Sequence, residues 1–207
     1  VVFAIDVKDT SKSRDGREVA IKMMKDRHQW ECEIRARQKY KLDSCVVGLL
    51  GWHVPEGESS MPGRKARTEP SDSKSKHGYL LILQRGDISG FQAITTQRIA
   101  GYDADAVTNL SKEIARNVSL LHDAGLVHYD LKLRNILVKS DKKDGYKVGA
   151  GCSVQLCDLD ASAPIGSLRR ADDKVGSSAY YAPEVARWNV TLKGDDNTTH
   201  EYDKQLR

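Results

Sequence analysis

No stretch of this 207-residue chain approaches the roughly 18 consecutive apolar residues that a membrane-spanning helix needs, so no membrane partner is expected. Val1-Val2-Phe3-Ala4-Ile5 is too short for the apolar region of a secretory signal and has no basic segment before it. The four cysteines, Cys32, Cys45, Cys152 and Cys157, include no C-x-x-C pair, and no histidines accompany them at zinc spacing. They read as reduced thiols of a cytoplasmic protein. Charge of one sign is scarce as well: 33 Lys and Arg stand against 29 Asp and Glu, and a net +4 is too small and too scattered to argue for nucleic acid. No internal repeat is present. Three N-x-S/T triplets, at Asn117, Asn189 and Asn197, carry little weight without a signal segment.

What is present is enough for one domain or a small two-lobed unit, with 39% hydrophobic and 30% charged residues. Residues 1–7 and 17–24 are short, apolar and partly β-branched, and Asp15-Gly16 between them is hairpin-turn material. Residues 27–40 fit a surface helix with a modest apolar stripe through Trp30 and Ile34. Strands are expected at 46–52 and 80–83. The stretch 55–77 between them is poor in apolar residues and reads as an exposed insertion. Its five basic residues (Arg64, Lys65, Arg67, Lys74 and Lys76) fit a solvated loop better than a nuclear-import signal, which keeps a nuclear location open. Leu110, Ile114, Val118 and Leu121 predict a helix over 109–124, entered near Ser111 and closed at Gly125. Short strands are expected at 136–138 and 154–157, flanking a polar, solvent-exposed loop at 139–151.

The chemistry gathers at His128-Tyr129-Asp130-Leu131-Lys132-Leu133-Arg134-Asn135, a loop between a helix and a strand. An Asp and an Asn five residues apart on such a loop can face one cleft. The Asp can orient a hydroxyl and accept its proton, and the Asn amide oxygen suits a hard cation such as Mg²⁺. Lys132 can place positive charge beside a transferring phosphoryl group. The bland alternative is a polar helix-to-strand turn.

This segment resembles the catalytic loop of protein kinases, H-R-D-L-x-x-x-N. Three more segments repeat the resemblance in order. Val19-Ala20-Ile21-Lys22 is similar to V-A-I-K, Asp158-Leu159-Asp160 stands where D-F-G would be, and Gly176 to Glu184 ends in Ala182-Pro183-Glu184. The resemblance implies an α+β, bilobal kinase-like fold: a small β-rich N-lobe at 1–84, carrying the insertion, and a partial helical C-lobe at 85–207. It implies ATP and Mg²⁺ as cofactors and a protein substrate bearing Ser or Thr. It implies that Lys22 contacts the ATP phosphates and pairs with Glu33, with Glu31 as the rival partner. Asp130 would be the catalytic base, Lys132 the phosphate-side cation, and Asn135 and Asp158 the magnesium ligands. Val2 and Ala20 would cover the adenine on one side and Leu137 on the other. Gln84-Arg85-Gly86 would form the hinge. Lys132 resembles serine/threonine kinases, and Ser177 stands where they carry a Thr bracing the catalytic loop.

The departures are specific. No G-x-G-x-x-G is present, and no D-x-W-x-x-G segment follows, so the expectation is a kinase core cut at both ends. Tyr129 replaces the Arg that normally meets a phosphate on the activation segment. Asp160 replaces Gly, where a residue resisting positive φ is expected to stiffen the loop. Arg37, four residues after Glu33, falls where an apolar residue is expected. Two other readings follow: a pseudokinase or nucleotide-dependent scaffold, and a small-molecule phosphotransferase of kinase-like fold.

Overall fold

The computed structural model describes residues 2–7, 17–55, 78–139, 148, 152–168 and 176–187. The Asp15-Gly16 turn, nearly all of the 55–77 insertion, most of the 139–151 loop, and the Asn189 and Asn197 triplets lie outside them.

Four antiparallel strands form the first sheet: β1 (Val2–Val7), β2 (Arg17–Met24), β3 (Leu49–His53) and β4 (Tyr79–Gln84), in the order β1-β2-β4-β3. Along β4 the side chains alternate, and Tyr79, Leu81 and Leu83 are buried on one face. Helix α1 (Arg27–Lys39) covers that face. It starts where Asp26 accepts the Gln29 N–H at 2.9 Å, and Arg37 and Lys39 in its last turn suit the helix dipole. Trp30 and Ile34 are fully buried against β4, and the Trp30 indole N–H donates to the Leu80 carbonyl at 3.1 Å. Burial of Ile34 alone stabilises the docked helix by about 1.5–3 kcal/mol.

The first sheet and the rest of the chain are sewn together by backbone. The expected 46–52 strand is split, because Val46 leaves the sheet to bridge Leu156. The Val47 N–H donates to the Leu156 carbonyl at 2.9 Å, and the Leu156 N–H to the Cys45 carbonyl at 2.7 Å. Leu42, Cys45 and Val46 therefore join the larger core, while Trp30 and Ile34 of the preceding helix belong to the smaller one.

The larger core is built on α2 (Gly90–Gln97) and α3 (Ala104–Asp123). It also takes in a three-stranded antiparallel sheet, β5 (Ile88–Ser89), β7 (Ile136–Lys139) and β8 (Ser153–Leu156). A two-stranded ladder joins β6 (Leu126–Val127) to β9 (Ala163–Pro164). Helix α3 begins five residues before the expected entry: Asp103, not Ser111, caps it, accepting the Ala106 N–H at 2.8 Å. Gly125 follows its end at φ 87°, a left-handed turn that glycine adopts without strain. Asn117 is fully buried on α3, which removes it as a glycosylation acceptor. Val148, expected in an exposed loop, is buried in the larger core, and its N–H donates to the Gln97 side chain at 2.9 Å. Cys157 has left the strand, which ends at Leu156. All four cysteines are free thiols. Among the described residues no helix is long and apolar enough to cross a membrane.

Candidate active site

Strand β6 delivers the chain to His128, a buried ring wedged between two loops. Its Nδ1 accepts the Asp130 N–H at 3.3 Å, so Nε2 carries the proton and donates to the Cys157 carbonyl at 2.9 Å. Burial holds its pKa below the usual imidazole value, although the Cys157 carbonyl opposes the shift. Tyr129 then takes φ 61°, a left-handed conformation that costs a bulky residue of order 1–3 kcal/mol. That kink turns Asp130 inward, while Tyr129 itself stays exposed.

The Asp130 carboxylate is held by donors from its own loop and from the segment at Ser177. Its Oδ2 accepts from Lys132 Nζ at 2.7 Å and from the Asn135 amide at 3.1 Å. The same amide donates to the Asp130 carbonyl at 2.9 Å, closing the turn Leu133–Asn135 that leads into β7. Oδ1 accepts the Ser177 N–H at 2.8 Å. Lys132 also donates to the Ser177 hydroxyl at 2.7 Å, so two segments about 45 residues apart are clasped at one carboxylate. Gly176 is what lets them meet: a Cβ there would stand 2.3 Å from the Tyr129 carbonyl oxygen. Burial alone would raise the Asp130 pKa, but Lys132 and the Ser177 N–H and hydroxyl outweigh it and hold the carboxyl below its ordinary range.

The second cluster surrounds Lys22 on β2. Its ammonium meets Glu33 of α1, Asp158 at 2.5 Å and Asp160 at 3.8 Å. Burial would lower the Lys22 pKa, but the three carboxylates raise it well above the ordinary lysine value. Glu33 is fully buried and split between two cations: Oε1 faces Lys22 and Oε2 faces Arg37. Desolvation pushes the Glu33 carboxyl up, but Arg37 and then Lys22 bring it below its usual value. Glu31, the rival, lies elsewhere, bridging Arg27 at 2.9 Å and Arg35 at 2.6 Å.

Asp158 takes φ 68°, which Asp tolerates better than most residues. The positive φ expected to trouble Asp160 is thus at Asp158, and Asp160 is instead a buried member of the Lys22 cluster. The two clusters adjoin, because the Cys157 N–H donates to the Asn135 carbonyl at 3.0 Å, just before Asp158. Burial, with Asp158 and Glu33 nearby, pushes the Cys157 thiol up to about 12, so it is an inert thiol beside the site.

Around these clusters, Ala20 is half-buried and pairs in register with Leu83. Gly86 lies against Leu137: a Cβ on the glycine would stand 2.8 Å from the leucine side chain. The Gln84 side chain packs on Gly48, and the Gln84 backbone N–H donates to the Gly48 carbonyl at 2.9 Å. Val2 pairs with Lys22 across β1 and β2, and its side chain lies outside the described residues. Sequence reasoning passed over the partnership of Arg37 with Glu33, that of Asp160 with Lys22, and the close approach at Gly176. The i,i+4 spacing of Glu33 and Arg37 was a usable signal for the first.

A family model described as the protein kinase domain matches residues 6–203. The chain is 32% identical over 94 residues to the kinase and exchange factor for Rac B of Dictyostelium discoideum, covering 44% of this chain and 8% of that protein. It is 29% identical over 137 residues to calcium-dependent protein kinase 19 of Arabidopsis thaliana, covering 66% of this chain and 23% of the relative. It is 29% identical over 98 residues to the serine/threonine-protein kinase PEPKR2 of the same plant, covering 47% of this chain and 19% of the relative. The chain thus spans less than a quarter of each of these relatives. The family match spans the strand that carries Lys22, the loop that carries Asp130 and the segment that carries Asp158: this chain belongs to the protein kinase domain family, with a mixed α+β fold.

Proposed function

We propose that the chain binds ATP with Mg²⁺ and transfers the γ-phosphoryl group to serine or threonine hydroxyls of a protein substrate. The observation that carries this reading is the clasp at Asp130, where a depressed carboxyl is held by Lys132, Asn135 and the Ser177 N–H. A carboxylate that stays ionised and fixed is suited to align a substrate hydroxyl and take its proton as the bond forms. Lys132, tied to both Asp130 and Ser177, would put its charge beside the transferring group. Most of the rate would come from such positioning and from fixed charge. Lys132 and Ser177 fit the serine/threonine pattern, and one relative carries that specificity in its name.

The donor set fits a hard divalent cation. Asp158 offers a carboxylate and Asn135 an amide whose nitrogen is committed to Asp130, leaving the oxygen as the donor. Mg²⁺ characteristically uses one or two protein ligands with phosphates and water. When bound, it would neutralise charge developing on the phosphates. Around Lys22 three carboxylates stand against two cations, an excess of negative charge that favours a divalent ion nearby. Lys22 would exchange a carboxylate for ATP phosphate, with Ala20 and Leu137 flanking the adenine and the 84–86 segment reading its edge. The four cysteines without a C-x-x-C pair support a cytoplasmic location for this activity.

Asp130→Ala in the full-length protein is expected to leave ATP affinity within about threefold while lowering transfer at least about a hundredfold. Unchanged turnover would refute the role. A second reading, a nucleotide-dependent scaffold, is favoured by one observation: Lys22 is engaged by Asp158 and Asp160 as well as Glu33. Radiolabel transfer from ATP to a generic basic protein with Mg²⁺ separates the two, since a scaffold transfers none.

A further inference from the structure

We propose that Arg37 is a positioning residue matched to Asp160: by holding the second oxygen of Glu33, it keeps α1 seated inward although Asp160 adds a third carboxylate around Lys22. The proposal rests on the kinase reading only in treating Lys22 as the nucleotide-facing lysine.

Arg37 and Asp160 are charged where the family pattern has uncharged residues, and their charges are opposite. Both reach the same cluster. Asp160 sits 3.8 Å from the Lys22 ammonium, and Arg37 meets Glu33 Oε2, the oxygen that Lys22 does not use. Without Arg37, the fully buried Glu33 would depend on one ammonium already shared with Asp158 and Asp160. A buried carboxylate left with a divided partner is strongly destabilising, and the simplest relief is for α1 to swing Glu33 outward.

Arg37 opposes that swing at more than one point. Its Nη1 donates to the Glu33 carbonyl at 3.1 Å, and its Nε donates to the Val47 carbonyl at 3.3 Å. The guanidinium thus fastens the last turns of α1 to the stretch that bridges to Leu156. The site is otherwise a poor one for an arginine: the side chain is only 6% exposed, and its buried Nη2 has no hydrogen-bond partner among the described residues. An orphaned donor is costly in the interior, so holding the guanidinium there requires a compensating interaction, and the Glu33 pair supplies it. Arg37 is also the leading charge holding the Glu33 carboxyl down, ahead of Lys22.

The test is a double-mutant cycle read by amide hydrogen exchange of residues 27–39 in the full-length, nucleotide-free protein. Arg37→Met keeps much of the apolar bulk and removes the charge. Asp160→Asn keeps the shape and removes the opposing charge. Arg37→Met is expected to speed exchange along α1 about tenfold, but about threefold or less when Asp160→Asn is also present. Arg37→Lys should fall between wild type and Arg37→Met, and it carries the same comparison with Asp160→Asn if Arg37→Met unfolds the chain. Equal acceleration in both Asp160 backgrounds would mean that Arg37 is only packing, and the proposal fails. The KM for ATP should follow the exchange pattern. Absence of phosphotransfer in every variant would tell against the kinase reading and leave the exchange comparison intact.

Discussion

Asp130 and Glu33 are both buried carboxylates, yet their surroundings differ in kind. Asp130 is held by one ammonium, one amide and one backbone N–H, all on the loop itself or on the segment clasped to it. Loss of any one donor leaves the others. Among the described residues Glu33 is held by two cations, one from β2 and one from its own helix, and Lys22 is shared with Asp158 and Asp160. The first arrangement is a redundant hydrogen-bond network fixed by local backbone. The second is an ionic cluster that exists only while α1, β2 and the 158–160 segment are all docked. A site so built keeps its chemistry rigid at Asp130 and concentrates its sensitivity at Glu33.

The change expected to break this contrast most violently is Glu33→Ala. It takes from the buried Arg37 the carboxylate it pairs with and leaves Lys22 to Asp158 and Asp160, which should cost about 3–5 kcal/mol in denaturant unfolding. A loss under about 1 kcal/mol would show the cluster to be solvated and the comparison mistaken. Gly176→Ala comes next and attacks the other side. The new Cβ would collide with the Tyr129 carbonyl, a backbone atom that cannot yield, and push Ser177 off Asp130. Overpacking of this kind costs about 1–3 kcal/mol, and transfer should fall further than stability because Asp130 loses a fixed donor. Heat stability and turnover on the same sample decide it.

Acid sharpens the comparison through His128. Its folded pKa lies below the unfolded value of about 6.5, so the unfolded chain takes up the proton first. The His128 contribution is intact above about pH 6.5 and is lost as pH falls through the folded value. Protonation would also remove the acceptor for the Asp130 N–H. In the Lys22 cluster, by contrast, Arg37 and Lys22 hold the Glu33 carboxyl below its usual value. His128→Gln should therefore flatten the stability profile below about pH 6.5, and an unchanged slope would exonerate the ring.

Much of this was legible in the chain. β2 and α1 announce themselves through an apolar β-branched run and the stripe of Trp30 and Ile34, and the four ordered motifs carry Lys22, Asp130, Asn135 and Asp158. What stayed hidden has physical reasons. The α3 entry was misplaced because the apolar stripe begins at Leu110, whereas the cap at Asp103 precedes a turn with only Ala106 buried. The α2 helix had a readable capping box, Ser89 with Gln92, and was passed over for want of a long apolar period. The β6 and β9 pairing joins strands of two residues each, too short to leave a pattern. The Arg37 and Asp160 partnerships depend on how α1 and the 158–160 segment dock, and docking has no local signature.

Ser177→Ala tests the smallest claim, that redundancy protects Asp130. Ser177 serves the network twice: its N–H donates to Asp130, and its hydroxyl accepts from Lys132. Alanine keeps the first and deletes the second, together with the smaller share the hydroxyl has in holding the Asp130 carboxyl down. Lys132 retains Asp130 and is 19% exposed, so water can replace the lost acceptor. Stability should change by less than about 1 kcal/mol. The effect should appear instead in kcat, lowered several-fold with the KM for ATP unmoved, because Lys132 would no longer be held against the activation segment. Ser177→Thr keeps the hydroxyl and should restore the rate. A stability loss as large as that of Glu33→Ala would mean that the Asp130 clasp hangs on a single oxygen, and the two carboxylates would then be built alike.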